Sequence, residues 1–291
     1  MRVLAAPTSL KGVLSAVDAA DALAEGLRAG GALADALPVA DGGDGTLDVL
    51  QRALGGEWRS ASVTAPLGGD VEAPYVVLPG NKVLLGTAEV LGFATVRELD
   101  PLRASSRGLG ELIAAAAGDA SELLVSLGGT VTVDGGAGMR EVIDMLPCPT
   151  RVLCDVQSPL RDAVAVFAAQ KGATPEMYDE LERRLDGLPD VPGAGAAGGL
   201  GGAFAALGAE LVRGAPFVLD QIGFDPRGFD LVVTGEGAVD ETTFAGKAPG
   251  EVKRRCDDAG VPCRLFSARD EFTGDAREAL RAYGERLARS A

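Results

Sequence analysis

Residues Glu122-Leu123-Leu124-Val125-Ser126-Leu127-Gly128-Gly129-Thr130-Val131-Thr132-Val133-Asp134-Gly135-Gly136-Ala137-Gly138-Met139 decide how the rest of the chain is read. Leu123, Leu124, Val125 and Leu127 make an apolar run that stops abruptly at Gly128-Gly129, the pattern of a short buried strand. The loop beyond it carries Gly128, Gly129, Gly135, Gly136 and Gly138, with Thr130, Thr132 and Asp134 as polar members. Glycine admits positive φ and lets backbone N–H groups come close to an anion, so this strand exit has the makings of a phosphate cradle. Asp134 would not bind phosphate itself; its chemistry there is to hold Mg²⁺ or to take a proton. A plain turn is the competing reading, because neither a Walker Lys-Ser/Thr nor a Gly-x-Gly-x-x-Gly spacing is present.

Outward from this stretch the chain alternates strands and helices. Val3 to Ala6 reads as a strand ending in Pro7-Thr8-Ser9-Leu10-Lys11-Gly12, and Ser15 caps a helix through Leu27. Leu37 to Val39 reads as a second strand, followed by Ala40-Asp41-Gly42-Gly43-Asp44-Gly45-Thr46 and a helix through Leu54. Such alternation predicts an α/β unit with a parallel sheet. Functional groups then collect beyond the C-terminal strand ends, where Ser9, Lys11, Asp41 and Asp44 fall. From Arg59 to Leu85 short apolar runs alternate with Gly, Pro and Asn turns, which predicts hairpins and the start of a second domain. A helix with Leu109, Leu112, Ile113 and Ala116 on its buried face precedes the central strand. Beyond that strand come Arg151 to Asp155 as a strand, a helix through Phe167, and another over about Pro175 to Leu185. Asp230 to Thr234 is a buried strand running into Gly235-Glu236-Gly237-Ala238-Val239-Asp240. Val252 to Ala259, Cys263 to Phe266 and Asp275 to Ser290 complete the order as helix, strand and helix.

Composition narrows the chemistry. The 291 residues carry a formal charge of −15, which argues against a general nucleic-acid or anionic-membrane surface but not against a phosphorylated substrate. Histidine is absent, so Ser-His-Asp and Cys-His machinery is excluded and the commonest zinc ligand is missing. Cys148, Cys154, Cys256 and Cys263 form no Cys-x-x-Cys pair; reduced structural thiols in a cytoplasmic protein are expected. The N-terminus reads as a strand and not as a signal peptide. Pro192 to Ala209 is uncharged but mostly Gly and Ala, which suits a loop entering a closely packed helix better than a membrane span.

Read together, these motifs make the sequence resemble the bacterial glycerate kinase family, the two-domain type that phosphorylates D-glycerate with ATP. The resemblance is carried by Ala6-Pro7-Thr8-Ser9-Leu10-Lys11-Gly12, by Ala40 to Thr46, by Gly108-Leu109-Gly110-Glu111-Leu112-Ile113 and by the central loop. Cys154-Asp155-Val156-Gln157-Ser158-Pro159-Leu160, Gln170-Lys171-Gly172-Ala173, Pro192 to Gly201, Thr234-Gly235-Glu236-Gly237 and Gly246-Lys247-Ala248-Pro249 continue it in the family's order. Departures are Thr8 for the usual Asp, Leu10 for an aromatic, Val133 for Asn, Ala238 for Arg and Thr242 for Gln, with shortened segments after Met139, Pro159-Leu160 and Phe266.

The resemblance implies two α/β domains with a cleft between them. A Rossmann- or flavodoxin-like parallel-sheet domain takes residues 1–58 plus 212–291, and a mixed α/β domain of residues 59–211 is inserted in it. It further implies ATP and Mg²⁺ as cofactors, glycerate as substrate, and 2-phosphoglycerate as product. A cytoplasmic enzyme is expected, with a homodimer as one candidate assembly. Catalysis would fall to Asp134 or Asp155 as base, with Lys11 offsetting charge. Ser9, Lys11, Asp41 and Lys171 would bind substrate. Gly128, Gly129, Thr130, Gly135, Gly136, Glu236 and Lys247 would bind the nucleotide phosphates, and Asp134 and Asp240 the metal. Two alternatives stay open: a non-catalytic paralogue that binds a small acid or nucleotide, and a kinase for another small sugar acid.

Overall fold

The computed structural model describes residues 1–10, 12–155 and 157–290, the side chains of Thr242 and Ala245 excepted. In chain order the strands are β1 (Arg2–Ala5), β2 (Leu33–Ala36), β3 (Glu57–Thr64), β4 (Asp70–Leu78) and β5 (Lys82–Gly86). They continue as β6 (Glu122–Leu127), β7 (Thr150–Cys154), β8 (Glu210–Arg213), β9 (Leu231–Glu236) and β10 (Cys263–Ser267). The helices begin with α1 (Ala16–Ala29), α2 (Thr46–Leu54), α3 (Thr87–Leu91), α4 (Arg107–Ala116), α5 (Ala137–Arg140) and α6 (Ala163–Phe167). After these come α7 (Tyr178–Arg183), α8 (Ala196–Ala206), α9 (Gly214–Gln221), α10 (Ala248–Ala259), α11 (Ala268–Glu271) and α12 (Ala276–Ser290).

Two compact units result. One comprises residues 1–41, 48–53 and 215–291; the other comprises 42–47 and 54–214. In the first, β10, β9, β1 and β2 lie side by side as a parallel sheet. Ser15 caps α1, its Oγ accepting from the Asp18 N–H at 3.0 Å, and Leu23 and Leu27 pack with Val3, Phe266 and Tyr283. The second unit holds a sheet ordered β3-β4-β5-β6-β7-β8, antiparallel through β5 and parallel from β5 to β8. Every residue of β6 is buried, as befits a central parallel strand covered on both faces. Leu123, Val125 and Leu127 join Leu109, Leu112 and Ile113 of α4 and Phe204 of α8 in one core. Each such fully buried leucine contributes about 1.5–3 kcal/mol relative to exposure.

The α/β class and the two α/β units agree with the sequence reading, and three details differ. The second strand lies at Leu33–Ala36, where Arg2 pairs with Leu33; the expected Leu37 to Val39 only trail it, with Leu37 N–H donating to Ala5 O at 2.8 Å. The segment 42–47 belongs to the larger unit, because Ser126 Oγ donates to the Gly42 and Gly43 carbonyls at 2.8 and 2.9 Å. That unit also begins its first strand at Glu57, ahead of the texture change at Arg59. No helix among the described residues is long and apolar enough to cross a membrane.

Candidate active site

In the larger unit the parallel strands β5, β6 and β7 end side by side, with Gly86 opposite Ser126 and Leu127 opposite Cys154. Just beyond these ends the backbone is held tightly. Thr87 Oγ1 donates to Gly128 O at 2.8 Å, and Gly128 N–H donates back to Thr87 Oγ1 at 3.0 Å. The Leu127 N–H donates to Gly42 O at 3.0 Å, so the Asp-Gly-Gly-Asp-Gly turn is stapled to the end of β6. Gly129 has φ +66°, and a Cβ there would stand 2.6 Å from Asp44 Oδ1. A Cβ on Gly128 would stand 3.6 Å from Asp155 Oδ2. The Gly128-Gly129 turn is therefore flanked by two carboxylates, and at Gly129 the approach of Asp44 together with the positive φ requires glycine. Burial, then the neighbouring Asp155, push the Cys154 thiol up to about 12, which leaves it an inert part of the core.

Further along the loop the polar residues turn inward. Asp134 is 6% exposed. Its Oδ2 accepts from the Ser106 N–H and Oγ–H, both at 2.8 Å, and from the Gly138 N–H at 3.1 Å. Its Oδ1 accepts from the Gly136 N–H at 3.1 Å. The carboxylate thus ties the start of α4 to the start of α5, work expected of a helix cap. Lys171 is 2% exposed, and its Nζ donates to Thr130 Oγ1 at 3.0 Å and to Thr132 O at 2.8 Å. Where the resemblance implies a substrate ligand, the ammonium is buried behind the loop. Thr132 also meets the kink of α8: a Cβ on Gly198 (φ +70°) would lie 2.0 Å from the Thr132 carbonyl oxygen. Gly135 N–H in turn donates to Gly198 O at 3.2 Å.

Desolvation pulls Lys171 from 10.5 down to about 7, against the pull of Asp134's charge. Between those values the unfolded chain binds a proton that the native one has released. Stability therefore rises with pH across that window and is lost as pH falls through about 7. From pH 7 to 9 wild type should gain on the order of 2 kcal/mol over Lys171→Met. Urea unfolding of both proteins at the two pH values checks this; a difference that does not move with pH refutes it.

The smaller unit has its own cluster at the strand ends of β1 and β9. Thr8 N–H donates to Gly235 O at 3.0 Å, and Thr234 Oγ1 donates to Ala6 O at 2.7 Å, which sets Ser9 beyond the glycine turn. Lys247 Nζ donates to Glu236 Oε2 at 3.1 Å and stands 4.0 Å from Asp240 Oδ1. Thr243 Oγ1 donates to Glu236 Oε1. Glu236, Asp240 and Lys247 are thus together, Asp41 belongs to the same unit, and Lys11 lies outside the described residues. Sequence reasoning placed Asp44 beyond a strand end with Ser9, Lys11 and Asp41 but gave it no role. Thr87, Ser106 and Thr243 offered no signal, since a lone hydroxyl is common in any loop.

A sequence profile of the Glycerate kinase family matches residues 3–145 and 141–284. The chain is similar to the glycerate kinase of Bacillus subtilis (strain 168), 35% identical over 318 residues that cover 90% of this chain and 83% of that protein. It is 34% identical over 307 residues to the glycerate 2-kinase of Escherichia coli (strain K12), covering 86% of this chain and 80% of that one. A crystal structure of a candidate glycerate kinase 2 from Salmonella typhimurium LT2 superposes with a TM-score of 0.83 at 31% identity. That match covers 100% of this chain and 98% of the other.

Proposed function

Since the chain belongs to the glycerate kinase family, we propose that it phosphorylates D-glycerate with ATP and Mg²⁺, releasing 2-phosphoglycerate. The observation that carries this reading is the Gly128-Gly129 turn between Asp44 and Asp155 at the ends of β5 to β7. With the Gly128 N–H held by Thr87, the Gly129 N–H is the donor of this turn suited to a phosphate oxygen, and the carboxylates suit a hard cation. Among the described residues no group of three or more Asp, Glu, Cys or His is placed to hold a metal. Mg²⁺ fits this arrangement, since it is ordinarily held by one or two carboxylates together with phosphate oxygens.

Asp44 and Asp155 would hold the ion, which when bound supplies charge neutralisation for the triphosphate. Asp155 would also take the proton of the glycerate hydroxyl. That oxygen then bonds to the γ-phosphorus as the bond to the β,γ-bridging oxygen breaks, and ADP leaves. Lys247 would offset the charge that develops on the transferred group. Ser9 and Lys11 would hold the substrate carboxylate. Asp134, saturated with internal donors, would orient the loop rather than act as base or metal ligand.

The test is incubation of the protein with ATP, Mg²⁺ and D-glycerate, with the phosphoglycerate isomer identified by NMR. Formation of 2-phosphoglycerate and equimolar ADP is expected, with loss of turnover in Asp155→Asn. Intact ATP, with glycerate or nucleotide still raising the melting temperature, would replace the reading with a non-catalytic binding protein. Val133, packed with Leu160, Ala163 and Val164 where the family resemblance implies Asn, is the feature that favours that second reading.

A further inference from the structure

We propose that Lys171 is a positioning residue that holds the Gly128-Gly129 turn from inside the protein. It takes that turn as the phosphate cradle, and so rests on the kinase reading. The loop leaving β6 has no ladder of its own and is gripped from two sides. On one, Val131 N–H donates to Leu91 O at 2.8 Å and Thr130 bridges Gly92. On the other, Lys171 holds the hydroxyl of Thr130, the residue next to Gly129, and the carbonyl of Thr132. The hydroxyl of Thr132 is buried without a partner among the described residues, so Lys171 holds this residue through its carbonyl alone.

Among the described residues the surroundings of Lys171 are mostly apolar. Val133, Ala163, Val164 and Ala168 form an apolar cluster at the same place in the chain's fold, and Lys171 N–H donates to Ala168 O at 3.0 Å. Asp134 is the charged group whose field bears on the ammonium, and its oxygens are already taken by Ser106, Gly136 and Gly138. A side chain that met glycerate would have to present its nitrogen to solvent; this one spends its full reach inward. Without it, the Thr132 carbonyl is left buried and unpaired, a loss the loop can relieve only by opening.

Hydrogen exchange tests the idea without relying on turnover. In Lys171→Met the amides of residues 129–135 should exchange at least about tenfold faster than in wild type, while those of β5 and β7 keep their rates. Lys171→Gln, with two N–H donors and no titration, should restore most of the protection. Kinetically, kcat should fall in Lys171→Met while the KM for glycerate stays within about twofold. Unchanged exchange in Lys171→Met, together with a raised KM for glycerate, would make Lys171 a substrate ligand and overturn the proposal. Should Lys171→Met fail to fold, Thr130→Val decides: it keeps the lysine and removes one acceptor. Local loosening supports the strut, and wild-type exchange overturns it. Wild type that makes no phosphoglycerate would defeat the kinase reading, and the exchange pattern would still decide what Lys171 holds.

Discussion

Lys247→Met should lower kcat for glycerate phosphorylation by about 10²–10³-fold, the usual cost of removing one preorganised donor from a charge-developing transition state. The ammonium sits at the start of α10, 3.1 Å from Glu236 Oε2 and 31% exposed, so it is oriented without being sealed off. Methionine keeps the stem and removes the charge. Glu236 keeps its bond from Thr243, so the carboxylate is not abandoned. With the Lys247 side chain 31% and the Glu236 side chain 12% exposed, the pair is largely buried, and losing the ammonium should cost on the order of 1–2 kcal/mol of stability. The melting temperature should therefore fall by only a few degrees while turnover collapses. Steady-state kinetics beside a thermal melt reads both, and a kcat within about threefold of wild type would remove Lys247 from the chemistry. Arginine at this position should recover only part of the rate, because its planar fork does not reproduce a compact charge.

The parts of the fold that were legible in the sequence are those where one local signal has one physical cause. The apolar run of β6 breaks at two glycines because the strand is buried to its end and the chain must turn there. Ser15 announced α1 because a hydroxyl three residues before an N–H has little else to do. In β8, Glu210 and Arg213 bracket only two apolar residues, and an edge strand needs no more, so nothing marked it. The candidate site was legible in location and less so in role. Asp134 and Asp155 each follow a strand in acidic, glycine-bearing or polar loops, and spacing cannot say which carboxylate faces inward. The difference comes from Ser106, 28 residues away in the chain, whose N–H and hydroxyl claim Asp134. Lys171 is the same case: a Gln-Lys-Gly-Ala segment has the look of a ligand, and only the packing of the Thr130 to Thr132 backbone against it shows a strut.

Asp134→Ala should destabilise the larger unit by about 4–6 kcal/mol, among the largest costs expected of a single change here. Alanine leaves four buried donors without an acceptor: the Ser106 N–H and hydroxyl, and the N–H groups of Gly136 and Gly138. Each unpaired group costs about 1–3 kcal/mol, and the glycine turn, already in the left-handed region at Gly135 and Gly136, has no spare slope to relax into. For a unit of this size the unfolding temperature should fall by at least about 10 °C. Asp134→Asn should cost less, because the amide oxygen can take the Oδ2 position and keep three donors while its NH₂ opposes only the Gly136 N–H. Ser106→Ala should fall between wild type and Asp134→Ala, since it removes one donor and strands the Met139 N–H that Ser106 Oγ accepts at 2.9 Å. A base or metal ligand aimed at substrate would behave in the opposite way: Asp134→Ala would abolish turnover and leave the melting temperature unchanged. Calorimetry on the three variants, with activity read at a temperature where all remain folded, separates the two. A ranking of alanine, Ser106→Ala and asparagine by stability, with turnover retained, makes Asp134 the clasp of the loop and not its base.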